Sequence, residues 1–101
     1  VARRPAIAGY FAGHTHRNRR VRVAATGPVP YVEVGCVKDY PGSWAEYRVF
    51  DGGILQVHHR ISTPEALAWS EQARHMYEGG YAGYAFGDLD DRCFFIDTSR
   101  R

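Results

Sequence analysis

Apolar positions along the chain change period from strand-like to helix-like, and the changes mark out the elements. Ile7 to Ala12 is a short continuous apolar run closed by Gly13. A run of that kind predicts a buried strand. Arg20 to Ala25 sets Arg20 and Arg22 against Val21 and Val23, which predicts a half-exposed strand broken by Gly27, Pro28 and Pro30. Tyr31 to Val37 predicts another strand, with Val32 and Val34 on one face. The Pro-Gly pair in Lys38 to Ser43 predicts a turn. Trp44 to Phe50 and Ile54 to Ile61 are strand-like runs joined by Asp51-Gly52-Gly53. Asp-Gly tolerates the positive φ angles of a tight hairpin, so these two runs should pair. Val57 then shares a face with Leu55 and His59, and His58 points the other way with Gln56.

The period changes at Thr63-Pro64-Glu65. A capping hydroxyl, a proline in the first turn and an acid near the positive end of the helix dipole predict a helix start. Ala66, Trp69, Ala73, Met76 and Tyr77 fall on one stripe, and Gly79-Gly80 closes the helix. Tyr81 to Gly87 reads as an irregular cover over the core, and Cys93 to Ile96 as a last short strand. The expected fold is α+β, mostly antiparallel sheet with one C-terminal helix. Residues 1–61 form its strand-rich part and 62–101 its helix and extension, all in one unit.

Composition narrows the class. With 101 residues the chain suits one domain with a modest core, and 45% apolar residues argue against disorder. No apolar run reaches membrane-spanning length, and no signal peptide is visible. The chain begins at Val1, so a processed or longer polypeptide is expected. Cys36 and Cys93 lack the spacing of a zinc ribbon or redox pair and read as buried thiols, hence a cytoplasmic protein. Net charge is only +2, yet Arg3, Arg4, Arg17, Arg19, Arg20 and Arg22 all precede the first acid, Glu33. Such a lobe attracts phosphate or nucleic acid, or is simply a solvated face. Most aromatic residues lie away from the arginines, which makes a nucleic-acid binder the weaker reading.

The candidate chemistry sits just after the first strand, in Gly13-His14-Thr15-His16. Neutral imidazoles two residues apart suit zinc, iron or manganese. Taken alone the spacing is weak, and a pair of surface histidines accounts for it. With its strand, the motif resembles the closing metal signature of the calcineurin-like metallophosphoesterases. Arg17-Asn18-Arg19 continues the likeness, and the following "YVEVGCVKDYPGSWAEYRVFDGGILQV" is similar to the closing strands of bacterial members. The resemblance is close over 10–19, extends to about Ile61, and is vague beyond it.

That resemblance implies the C-terminal part of a four-layer αββα sandwich. It implies two divalent metal ions (Mn, Fe or Zn), with His14 on one and His16 on the other. They would polarise a phosphomonoester or phosphodiester and activate water. Arg17 and Arg19 would help hold phosphate oxygens, with surface charge as their alternative. The family's earlier motifs, Asp-x-His, Gly-Asp and Asn-His, are not found before Gly13. The expectation is therefore a segment that is inactive alone, binds metal weakly or not at all, and needs an N-terminal part for the remaining ligands. An exposed sheet face that docks a partner or a second copy is the competing role. Gly87-Asp88-Leu89-Asp90-Asp91-Arg92 looks like the family's Gly-Asp-x-x-Asp-Arg, but in reversed order, so Asp88 is expected in an exposed acidic turn. His58 and His59 face opposite ways and His75 is mid-helix, so none is a leading ligand. No nucleophile elbow or Gly-rich phosphate loop is visible.

Overall fold

The hairpin forms where Asp51-Gly52 places it. In the computed structural model, which describes residues 7–22, 27 and 29–99, β4 (Ser43–Phe50) and β5 (Gly53–Arg60) pair antiparallel from Ser43↔Arg60 to Phe50↔Gly53. On the other flank of β5 lies β6 (Phe94–Asp97), also antiparallel, which completes a sheet of order β4-β5-β6. A second sheet has the order β1-β3-β2, from β1 (Tyr10–Ala12), β2 (Arg19–Arg22) and β3 (Pro30–Glu33). β2 runs antiparallel to β3, whereas β1 runs parallel to it. The chain is thus a small α+β domain dominated by antiparallel pairing, and no described helix is long and apolar enough to cross a membrane.

Val32 from the first sheet packs with Phe94 and Ile96 from the second, and Ala8, Val34 and Ile54 close around them. Burying each large apolar side chain there contributes roughly 1.5–3 kcal/mol. A smaller cluster of Ala73, Tyr81 and Ala85 packs against Tyr40.

Several expectations are corrected. The run 7–12 yields only three paired residues, and Tyr10 and Phe11 are exposed rather than buried. β1 is an edge strand, and an apolar run does not say whether both its flanks are covered. Tyr10 meets Tyr31 edge-on at 5.4 Å, and Phe11 meets Tyr47 at 5.1 Å. β3 stops at Glu33, and residues 34–42 form a loop. Val23 to Ala25 lie outside the described residues.

The expected long helix is broken. α1 (Pro64–Glu71) passes into a 3-10 stretch (Gln72–Gly79), and Met76, Tyr77 and Glu78 leave helical geometry. Trp69, Met76 and Tyr77 are exposed, while Ser70 and Ala73 are buried. The buried stripe is therefore one position off the apolar one at its centre, and the kink carries Met76 and Tyr77 away from it. Thr63 stands at the helix start with Pro64 after it, but its hydroxyl makes no cap. The glycine-rich segment 81–87 is not irregular: α2 (Gly80–Phe86) buries Tyr81 and Ala85. A short α3 (Leu89–Arg92) follows, where Asp91 accepts the Asp88 N–H at 2.9 Å and the Arg20 N–H of β2 at 2.9 Å.

One buried polar side chain joins the loops between these elements. Asn18, 2% exposed, donates from Nδ2 to the Ala85 carbonyl at 2.9 Å and accepts the Gly35 N–H at 3.1 Å. Its own N–H also donates to Ala85 at 2.9 Å. Gly35 and Gly87 allow this closeness. A Cβ on Gly35 would lie 3.0 Å from Asn18 Nδ2, and one on Gly87 would lie 2.4 Å from the Asn18 carbonyl oxygen. Asn18→Ala should destabilise the fold by about 2–3 kcal/mol, since it leaves the Gly35 donor without its acceptor. Denaturant unfolding measures it, and a loss below about 0.5 kcal/mol, the scatter of ordinary surface substitutions, would contradict this role.

Candidate metal centre

Parallel pairing of β1 and β3 puts the C-terminal ends of both strands on one sheet edge. The loop after β1 carries Gly13-His14-Thr15-His16, and the loop after β3 carries Cys36, Lys38 and Asp39. Loops at such ends are where sheets with parallel strands place ligands. The two loops meet. Asp39 Oδ2 accepts from His16 Nδ1 at 2.7 Å. An ionised carboxylate has no proton to give, so the Nδ1 of His16 is the donor.

His14 and His16 both adopt positive φ, at 81° and 58°. A non-glycine residue held there costs of order 1–3 kcal/mol and persists only where its surroundings hold it. His16 is held by Asp39, and the loop between the two histidines by Tyr84, whose hydroxyl donates to the Thr15 carbonyl at 3.2 Å. His14, Thr15, His16 and Asp39 line one side of a cleft of about 590 Å³, and Met76, Tyr77, Gly80, Tyr81 and Tyr84 line the other. The two histidines therefore open onto the same space.

Asp39 is the electrostatic hub. Tyr81 donates its hydroxyl to Oδ2 at 3.2 Å, and the Lys38 ammonium lies 3.7 Å from Oδ1. Burial raises the Asp39 pKa, but the His16 hydrogen bond, the Lys38 charge and the Tyr81 hydroxyl together outweigh it. The net pKa is below the usual carboxylate value. Burial, and then the Asp39 charge, pushes the Tyr81 phenol upward, so Tyr81 remains a donor at neutral pH. His16, Cys36 and Asp39 each offer one metal-ligating atom, and these atoms lie within 4.8 Å of one another. The arrangement suits a divalent cation with nitrogen, sulfur and oxygen ligands.

The arginines separate. Arg17 lays its guanidinium over the ring of Tyr84, a cleft-lining residue, 4.2 Å from the centroid, but does not itself line the cleft. Its Nε is buried without a hydrogen-bond partner among the described residues. Arg19 lies on β2 opposite Glu33 and lines a different groove, with Tyr10, Val21 and Tyr31. Asp88 is exposed at the start of α3 and does not line the cleft. Cys36 and Cys93 are free and half-buried, so neither is the fully buried thiol expected.

His59 and His58 have structural partners. His59 stacks on Trp44 at 4.4 Å and bonds Glu46 at 2.8 Å. The Arg48 guanidinium and then His59 draw the Glu46 carboxyl down to about 2. His58 faces the opposite way, edge-on to Phe86 at 5.8 Å, as the alternation predicts. His75 is exposed in the 3-10 stretch.

Sequence reasoning missed Asn18, Cys36, Asp39, Tyr81 and Tyr84. Asp39 was legible only as part of the Lys38 to Ser43 turn, and Cys36 as part of the expected strand Tyr31 to Val37. Only the strand order shows that the two loops share an edge. No family model, curated protein or solved structure matches the chain.

A pH dependence of stability follows from His58. Burial, then the Arg92, His59 and Arg60 charges, pushes its pKa from 6.5 down to about 4. Between those values the unfolded chain holds more protons than the folded one, so stability falls as the pH drops through this window. Thermal unfolding from pH 7 to 4 should show that fall, and His58→Gln should flatten it. An identical slope in the variant would contradict the assignment.

Proposed function

We propose that this chain supplies the Gly-His-x-His metal ligands of a dinuclear phosphoesterase, in the manner of the metallophosphoesterases its motif resembles. The observation that carries this reading is that His14 and His16, both on left-handed backbone, line one cleft at the C-terminal end of β1. A positive-φ pair at a strand end is a costly placement for two histidines that do no more than face solvent.

Two further features support it. Among the described residues β1 has no neighbour on its outer side in the order β1-β3-β2, and Tyr10 and Phe11 are exposed there. An open edge offers backbone hydrogen bonds to further polypeptide, which is where the remaining ligands would come from. Arg17 stacks on Tyr84, whose ring lines the cleft, so its positive charge lies one ring away from the space a phosphate ester would enter. When bound, two metal ions would polarise the ester and lower the pKa of the attacking water. This chain would contribute one imidazole to each ion and the aromatic wall of the cleft.

With Mn(II) and a chromogenic phosphodiester, the chain alone should show no turnover. Fused to a polypeptide bearing Asp-x-His, Gly-Asp and Asn-His motifs, it should hydrolyse the ester and lose activity on replacement of either His14 or His16 by Ala. Turnover by the chain alone at an ordinary enzymatic rate would overturn the reading, and so would an active fusion lacking both imidazoles.

A further inference from the structure

We propose that His16, Cys36 and Asp39 form a mononuclear zinc site that this chain loads by itself. The site shares His16 with the dinuclear reading but does not rest on it, because it uses neither His14 nor a ligand from outside the chain.

The geometry comes first. The three candidate ligand atoms lie within 4.8 Å of one another. Ligands on a tetrahedral zinc ion, at about 2.0–2.3 Å from the metal, stand roughly 3.3–3.7 Å apart. Closing the cluster from separations of up to 4.8 Å onto an ion thus requires a contraction of at most about 1.1–1.5 Å, given those bond lengths. The His16–Asp39 pair, 2.7 Å apart, opens by less, about 0.6–1.0 Å on the same bond lengths. In the metal-free chain a proton occupies the place between these two atoms. Ligation through Nδ1 moves this proton to Nε2 of the neutral ring, and Cys36 ligates as its thiolate by giving up the thiol proton.

Donor chemistry selects the ion. A thiolate, an imidazole and a carboxylate make a borderline-soft set, which favours zinc over magnesium, calcium or manganese. The surroundings hold the set in place: Tyr81 and Lys38 fix both oxygens of Asp39, and the His16 backbone is positioned two residues before the Asn18 anchor. Outer partners of this kind orient ligands before the ion arrives.

Three protein ligands leave a fourth position, and His16 and Asp39 both face the cleft. Thr15 lines the cleft beside them, and its Oγ1 is buried without a hydrogen-bond partner among the described residues. Water, or the oxygen of an anionic ligand, fits that position. Three ligands in place of two also remove the reason for expecting weak metal binding by the chain alone.

Cobalt(II) reports thiolate ligation through a sulfur-to-metal charge-transfer band in the near ultraviolet, and it tests the site directly. The reduced 101-residue chain should take up one equivalent of cobalt with this band, and zinc should displace it. Cys36→Ser, a one-atom change, should abolish the band and weaken zinc binding by about tenfold or more. His16→Gln and Asp39→Asn should weaken zinc to a similar extent, with circular dichroism confirming that the variants are folded. Cys93→Ser should leave the band intact. No saturable band, a band that survives Cys36→Ser, or one lost in Cys93→Ser would overturn the site. A positive result leaves the phosphoesterase reading to its own turnover assay, so the two fail separately.

Discussion

Asn18 is the constraint on which the cleft depends. Three segments converge on it: the loop after β1, the loop after β3 and helix α2. A buried amide makes such a junction specific, because each polar atom must find its partner or be left desolvated. Gly35 and Gly87 pack against it where any side chain would collide. The histidine loop is therefore held from its exit, two residues beyond His16, and α2 is held with Tyr84 bonded to that loop and Tyr81 to Asp39 in the loop after β3.

The chemistry follows from the same topology. A parallel neighbour for β1 is unusual in a domain otherwise built from antiparallel pairs. It makes the loop of β1 adjacent to the loop of β3, so residues 23 positions apart form a 2.7 Å hydrogen bond. Asp39 then concentrates the interactions of His16, Lys38 and Tyr81 on one carboxylate. Cys36 stands in the same cluster. The left-handed backbone at His14 and His16 is the local cost of turning both rings toward one space.

Much of the sheet was legible in the sequence because strand signals are local. The Asp51-Gly52 turn fixed the register of β4 against β5, and alternation put His58 and His59 on opposite faces. The helical segment was less legible. Its apolar stripe pointed to Trp69, Met76 and Tyr77, but the break at 76–78 exposes two of these, and Ser70 takes a buried place. Tyr81 to Phe86 gave no helical signal because Gly80 and Gly83 weaken it, yet burial of Tyr81 and Ala85 holds α2. Within the site, the histidine pair was visible as a motif. Cys36, Asp39 and Asn18 were not, since their roles depend on which strand lies beside which. Arg17 and Arg19 looked equivalent in the sequence, yet the strand start at Arg19 puts that residue in a groove with Tyr10 and Tyr31 while Arg17 stacks on Tyr84.

The central claim is that two loops brought to one sheet edge compose a single nitrogen, sulfur and oxygen ligand set. X-ray absorption at the zinc edge of the zinc-loaded chain tests it most directly. The account predicts one sulfur neighbour at about 2.3 Å together with nitrogen and oxygen neighbours near 2.0–2.2 Å. A shell of nitrogen and oxygen alone would show that Cys36 stands outside the centre, and would contradict it.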